Sequence, residues 1–286
     1  MHKSGKTLTP QYTLELDDCS VVLNDHLGAG ISLTYLDQRL CSACGQRTRK
    51  LYNRSYCYDC FSSLARCDLC IVSPDRCHIH LGTCREPTWA EGFCMQPHTV
   101  YLSNTSGPKV GITRAGREHR RWVDQGASSA RKIIHAPSRR AAGVVEAFFK
   151  RYVQDRTDWR RLVSGRGEPA NLEELAQFLQ RKMPALESIE QGFVPAQEMQ
   201  ALAWSQGEPT IDILYPVDKF SPAQRLKLSS EQPKICDNLR GIVGQYLLLS
   251  QGVINILDYQ SAGLHVALGE PIVIASHADT DQLSLF

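Results

Sequence analysis

The sequence predicts an α+β protein with N-terminal zinc-ribbon modules, a compact hairpin and helix domain, and a small β-barrel or sandwich formed by the terminal strands. Three observations carry this. Nine of the eleven cysteines fall between Cys41 and Cys94. Alternating or β-branched apolar runs sit near both ends of the chain, where half-buried strands are expected. Between them lies a β-then-α pattern with a marked excess of basic residues.

Taken in order, residues 1–40 read as strands, in YTLEL and ISLTYL. Residues 41–97 hold the cysteines, and residues 98–165 the hairpin and helices. Residues 166–275 open with a helical piece, NLEELAQFLQRKM, and return to strands in PTIDILYPV, LRGIVGQYLLLS, GVINILDY and LHVAL. The first and last sets of strands are expected to meet in one barrel or sandwich, with the other modules inserted. Residues 276–286 read as a flexible polar tail.

The chain has 286 residues, 42% of them hydrophobic and 22% charged, which suits a soluble globular protein with a real core. No apolar stretch approaches the ~18 residues of a membrane span, and the opening MHKSGKTLTPQY lacks the apolar middle of a signal peptide. A cytoplasmic protein is expected, so the cysteines read as metal ligands and not as disulfides. Cys19 and Cys236, far from the others, read as core packing. The net charge is +2, but Lys109 to Arg166 carries fifteen Lys/Arg against five Asp/Glu. That segment is +10 and the remainder −8, an asymmetry that suggests a polyanion-binding face; a solvated helical surface is the alternative. No phosphate-binding G-x-x-x-x-G-K-[ST] loop, dinucleotide G-x-G-x-x-G motif or G-x-S-x-G turn is present, which argues against an ATPase, a dehydrogenase or an esterase.

Cys41/Cys44 and Cys57/Cys60 form two C-x2-C knuckles with twelve residues between, a spacing that brings four thiolates around tetrahedral Zn²⁺. A third pair, Cys67/Cys70, begins a second site, for which Cys77 and Cys84 are the expected remaining ligands and His80 the alternative. Cys94 and His98 either complete another site or pack. Sites closed by four protein ligands are structural, since catalytic zinc keeps a position for water. Tyr52, Tyr56, Arg47, Arg49, Lys50 and Arg54 suit nucleic-acid contact or an ordinary exposed loop.

HTVYLSNTSGPKVGIT reads as a β-hairpin, followed by a basic helical stretch, GREHRRWVDQGA. After a loop, SRRAAGVVEAFFKRYVQD reads as an amphipathic helix. At ~100° per residue, Ala141, Ala142, Val145, Phe148, Phe149, Tyr152 and Val153 share one arc, while Arg140, Arg151 and Gln154 point away. Glu146 falls at the margin of the arc, so its carboxylate is paired, metal-bound, or a boundary group reaching outward.

These residues resemble the GIY-YIG endonuclease superfamily, especially the branch whose second strand reads like KVGIT. TVY corresponds to the first signature, so Tyr101 matches its tyrosine; KVG corresponds to the second, so Gly111 matches its glycine. Arg121, ten residues on and just before Trp122, matches the catalytic arginine. Glu146 matches the metal-binding glutamate, and His119 lies within reach. The resemblance covers roughly residues 98–160. It implies that Tyr101 helps to activate water, Arg121 binds the phosphoryl oxygens, and Glu146 holds one Mg²⁺ or Mn²⁺. Lys109 stands where the family usually has a second tyrosine, and the turn is short. That change suits either a phosphate ligand or a scaffold that binds without cutting. The cysteines in front and GIVGQYL behind also resemble an uncharacterised prokaryotic family.

The last residues, Gln282, Leu283, Ser284, Leu285 and Phe286, resemble the peptide by which bacterial replication and repair proteins dock on the DNA polymerase sliding clamp. In that resemblance Gln282 makes polar contacts, and Leu283, Leu285 and Phe286 fill apolar pockets. A chance apolar ending, or a strand folding back on the body, is the alternative. Together the resemblances imply a zinc-stabilised, metal-dependent DNA endonuclease of replication or DNA repair, tethered to the clamp and nucleoid-associated. The alternative is a non-catalytic nucleic-acid adaptor, on DNA or RNA, using the same basic face.

Overall fold

The computed structural model describes residues 6–15, 19–153, 157–183, 196–270 and 272. The predicted C-terminal peptide lies outside them, as does Gln154. The protein is a mixed α+β structure with several sheets.

In chain order the elements are β1 (Lys6–Leu8), β2 (Thr13–Glu15), β3 (Ser20–Val22), β4 (Gly30–Arg39), α1 (Tyr58–Ser63), α2 (Pro87–Phe93), β5 (His98–Asn104) and β6 (Pro108–Arg114). Next come α3 (Glu118–Asp124), β7 (Ser129–Ala136), α4 (Arg139–Phe149), α5 (Trp159–Val163), α6 (Leu172–Gln180) and α7 (Ala196–Gln200). The chain then adds β8 (Ala203–Trp204), β9 (Ile211–Ile213), β10 (Lys234–Val243), β11 (Tyr246–Leu249), β12 (Val253–Asn255) and β13 (Ala262–Gly269).

The first sheet runs β1-β9-β7-β5-β6, with β8 also paired to β7. β5 and β6 form the predicted hairpin, with Tyr101 opposite Gly111. Side chains alternate across a strand, and here the two faces hold different clusters. Val100 and Leu102 of β5 pack with Ala141, Ala142, Val145, Phe148 and Phe149 of α4. Tyr101 points the other way, to Trp122 of α3, Ala130 and Ile213. Ser138 caps α4 by accepting from the Ala141 N–H at 3.1 Å.

The strand β7, at the centre of this sheet, lies in the stretch that the sequence presents as a loop between two helices. The β5–β7 ladder shifts register at Tyr101, so that Val100 faces Ile134 and Tyr101 faces Lys132. This irregularity leaves Ile133 and Ile134 both buried, which breaks the alternation that normally marks a strand.

The second sheet runs β12-β11-β10-β4-β13, antiparallel throughout. The N-terminal strand β4 does lie among the C-terminal strands, between β10 and β13. Its core is built from Ile31, Leu33, Leu239, Ile242, Leu247, Leu249 and Ile254. PTIDILYPV behaves differently: its β9 joins the first sheet, pairing with β1 and β7. The β10–β11 turn at Gly244, with φ of +58°, comes so close to the loop after α3 that a Cβ there would lie 2.7 Å from the Gly126 nitrogen. The glycine of GIVGQYL thus lets the second sheet rest against the end of α3.

Three expectations about individual side chains are corrected. Cys19 and Cys236 are exposed and not core residues; Cys236 Sγ lies 3.4 Å from Ser32 Oγ across two paired strands. Arg140 is buried, not solvent-facing, because α7 and the cysteine segment cover that side of α4. There it forms an ion pair with Glu198 and a 2.8 Å hydrogen bond with His80 Nδ1.

Candidate functional site

A cleft of about 610 Å³ opens where β6 meets α3, α4 and the cysteine segment before them. Tyr101, Lys109, Gly111, Arg121 and Glu146, distant in sequence, all line it. A Cβ placed on Gly111 would fall 2.6 Å from Tyr101 Oη and 2.7 Å from Cζ. Only glycine leaves room for the phenol to lie across β6, the end strand of the sheet, and reach the cleft.

The Tyr101 ring is fully buried and packs edge-on to Trp122, with centroids 6.1 Å apart. Burial raises its pKa above the ordinary tyrosine value, against the opposing pull of Arg121 and Gln125. The group is therefore a phenol at neutral pH. The hydroxyl interacts with Arg121 and Gln125, whereas His98 Nε2 and Arg139 Nε, both on residues that line the cleft, have no hydrogen-bond partner among the described residues. A buried polar atom left unpaired costs ~1–3 kcal/mol, so a polar ligand with several acceptors and donors is favoured here.

Charge narrows the ligand further. Among the described residues, Lys109, Arg114, Arg117, Arg121, Arg139 and Lys150 face the cleft beside one carboxylate, Glu146. Glu146 is 13% exposed, which matches its expected place at the edge of the helix's apolar arc, and Lys150 Nζ stands 3.7 Å from it. Lys109 donates to Thr157 Oγ1 at 3.2 Å. Six cations around one acid suit a polyanion better than a metal ion alone.

His119 does not join them. It is exposed on α3, its ring 5.3 Å from that of Trp122, and it is not among the residues lining the cleft. Glu118, its neighbour, is buried and accepts from Thr99 Oγ1 at 2.8 Å, with Lys132 Nζ at 3.8 Å. This fixes the start of α3 to the sheet and so positions Arg121 one turn later.

Several cleft residues escape a reading of the sequence. Arg139 begins α4, where its N–H donates to the Cys94 carbonyl at 2.7 Å and its guanidinium donates to the Ile71 carbonyl at 2.6 Å. The ring of Phe93 lies beneath both Arg114 and Arg139. His98 is buried, and desolvation lowers its pKa to about 4, helped by the nearby Arg139 and Arg114. Its Nδ1 lies 2.7 Å from the Gln96 carbonyl, so Nδ1 carries the proton and Nε2 is left as a weak acceptor. Only the start of α4 at SRR offered a signal; the other placements depend on the fold.

The four thiols of Cys41, Cys44, Cys57 and Cys60 lie within 4.8 Å of one another, and the Cys44 and Cys57 sulfurs are 3.8 Å apart. A tetrahedron with ~2.3 Å Zn–S bonds has edges of ~3.8 Å. The group can hold a zinc ion closed by four protein ligands. Tyr52, put forward for nucleic acid, stacks instead on Phe61 with ring centroids 5.4 Å apart, and Lys50 Nζ lies 4.8 Å from the Tyr52 ring centre. Arg54 faces Asp258 at 3.8 Å.

The second predicted quartet is only partly assembled as expected. Cys70, Cys77 and Cys84 line one small cavity with Cys94, Asp68 and His78, but Cys67 does not. Cys67 is buried, and burial raises its pKa against the opposing pull of Arg85 and Arg66. His80 is engaged with Arg140. Asp68, Cys70 and His78 also bring donor atoms within 4.8 Å of one another.

Fold and site define a mixed α+β protein with a four-thiol group that can hold a metal ion and a separate basic cleft. Residues 28–264 match the family described as "Protein of unknown function (DUF2797)", and the chain belongs to that family. No curated protein and no solved structure matches it. Among the described residues no helix is long and apolar enough to cross a membrane.

Proposed function

We propose that this protein binds nucleic acid in the cleft and hydrolyses a phosphodiester there, as a zinc-stabilised, metal-dependent DNA endonuclease. The observation that carries the reading is the convergence of Tyr101, Arg121 and Glu146, with Gly111 and Lys109, on one strongly basic cleft. Tyr101, kept protonated by burial, acts as a hydrogen-bonding group that orients the attacking water. Arg121, exposed at the middle of α3, binds the phosphoryl oxygens and offsets the charge that develops on them. Lys109 adds a further cation on the strand beside it. A Mg²⁺ or Mn²⁺ at Glu146 would supply charge neutralisation and an activated water. Because six cations surround that carboxylate, the metal is expected to bind together with the phosphate and not before it.

A second reading is a non-catalytic adaptor for DNA or RNA. The ion pair of Lys150 with Glu146 favours it, as does lysine at position 109 in place of a tyrosine. Incubation with branched, nicked and damaged DNA in Mg²⁺ or Mn²⁺ separates the two. Cleavage that Glu146→Ala abolishes supports the nuclease; tight binding without cleavage of any substrate by the pure protein leaves the adaptor.

The reading extends to the C-terminal peptide, by which Gln282, Leu283, Leu285 and Phe286 would dock on the sliding clamp and bring the protein to the nucleoid. Deleting residues 282–286 should abolish capture by immobilised clamp. Unchanged capture removes that partner.

A further inference from the structure

The segment from Ala65 to Phe93 is built from four single turns of 3-10 helix, at Ala65–Cys67, Leu69–Ile71, Pro74–Arg76 and Ile79–Leu81, followed by the seven-residue helix α2. Its larger aliphatic residues do not form a core: Leu69, Val72 and Leu81 are 58%, 69% and 66% exposed. A segment with so little buried surface needs a staple to hold one conformation. Yet it forms a wall of the basic cleft, through Ile71, Val72, Pro74 and Phe93.

A candidate staple lies inside it. Cys70, Cys77, Cys84 and Cys94 line a cavity of about 10 Å³ together with Asp68, His78, Arg85 and the apolar Ile71, Ile79, Trp89 and Ala90. That is room for one ion or one water and nothing larger. The Cys70 sulfur lies within 4.8 Å of donor atoms of Asp68 and His78, and Cys77, Cys84 and Cys94 line the same cavity. We propose that these four thiolates bind a second zinc ion, which fixes the cysteine-side wall of the cleft and holds it against α4.

Two further features fit a dianionic zinc tetrathiolate centre. Arg139 interacts electrostatically with Cys94 and Cys70 and donates its backbone N–H to the Cys94 carbonyl, so a cation stands beside the ligands. Asp68, the rival ligand alongside His78, is already engaged. It accepts from the Cys70 N–H at 3.2 Å and from Arg85 Nε at 2.9 Å, with His78 Nε2 at 3.4 Å. His78 is held in turn by Thr83 at 2.7 Å. Asp68 and His78 share the cavity with the thiols, and these hydrogen bonds occupy them in orienting the loop around Cys70, as outer partners commonly do at metal sites. The inference does not depend on what the cleft does to nucleic acid.

Native mass spectrometry of the full chain tests it by counting zinc. Two ions are expected in the wild type, one in Cys94→Ser and two in Cys67→Ser. Zinc-edge X-ray absorption of the wild type should show sulfur alone, at ~2.3 Å. If Cys94→Ser does not fold, the absorption spectrum and Cys67→Ser still decide. A single zinc in the wild type, a loss of zinc in Cys67→Ser, or a nitrogen or oxygen shell would each overturn the proposal.

Discussion

The two cysteine segments differ in how their thiols meet. In the first, Cys41/Cys44 and Cys57/Cys60 lie on two short knuckles, and each pair is brought together by a few residues of local turn. In the second, Cys70 sits in a single turn, Cys77 and Cys84 in irregular chain and Cys94 at the end of α2, so the proposed site depends on how the whole segment folds over α4. The first module sits against the second sheet, through Ser42 to Ser261 at 2.6 Å and a backbone bond from Leu40 to Ser261 at 3.0 Å. The second is part of the cleft. Damage to the first should therefore stay local, and damage to the second should reach the site.

The largest test of this contrast removes one ligand from each. A structural zinc contributes ~10 kcal/mol or more of apparent binding free energy, so Cys57→Ser and Cys84→Ser should each lose one metal ion. Their effects on DNA affinity should diverge. By fluorescence anisotropy, Cys84→Ser is expected to weaken binding about tenfold or more, ~1.4 kcal/mol, while Cys57→Ser changes it by less than about threefold. Equal losses would break the contrast.

The contact between the second segment and α4 offers a sharper test. A Cβ on Gly143 would lie 2.8 Å from the Asp75 nitrogen and the Pro74 carbonyl carbon, with backbone that cannot swing aside. Gly143→Ala should force the turn away from the helix and cost ~1–3 kcal/mol. Alanine is otherwise the better helix former by ~1 kcal/mol, so a stabilised variant in urea unfolding would show that the close approach is not there.

What the sequence made legible follows the same division. The hairpin, α4 and the first four thiols were visible because spacing and period are local properties. So was the place of Glu146 at the margin of its helix, which follows from periodicity alone. β7 was missed because a register irregularity at Tyr101 puts two consecutive isoleucines inside. Cys94 was left open because nothing in the gap after Cys84 says that α2 will carry it back to Cys70. Arg140 was placed in solvent because its cover, α7, comes much later in the chain. His119 beside Arg121 looked equivalent in sequence, but two positions on a helix differ by ~200°, and only Arg121 faces the cleft.

His98, just past the second segment, gives a pH test. Its folded pKa of about 4 lies below its ordinary 6.5, so the unfolded chain binds more protons between these values. Stability is then fully present above about pH 6.5 and is lost as the pH falls toward 4, by ~3 kcal/mol. Acid also protonates zinc-bound thiolates, so the comparison is with His98→Gln, in which that common loss remains. The stability of the wild type relative to the variant should fall by ~3 kcal/mol from pH 7 to pH 4, in urea titrations. Parallel curves would mean that the imidazole reaches water.

The smallest expected effect lies on the first module. Arg54 stands 3.8 Å from Asp258, and its side chain is 60% exposed. Asp258 is also paired with Arg225, so losing Arg54 leaves no buried carboxylate unmatched. Exposed ion pairs contribute ~0–1 kcal/mol, and Arg54→Ala should shift stability by no more than ~0.5 kcal/mol. The informative quantity is its salt dependence on DNA. If Arg54 only tethers the module to the second sheet, affinity and its slope against salt stay as in the wild type. A slope shallower by ~1 would mean that Arg54 releases a counterion from a phosphate. The proposed nucleic-acid face would then extend from the cleft onto the first module, and the two cysteine segments would share one role.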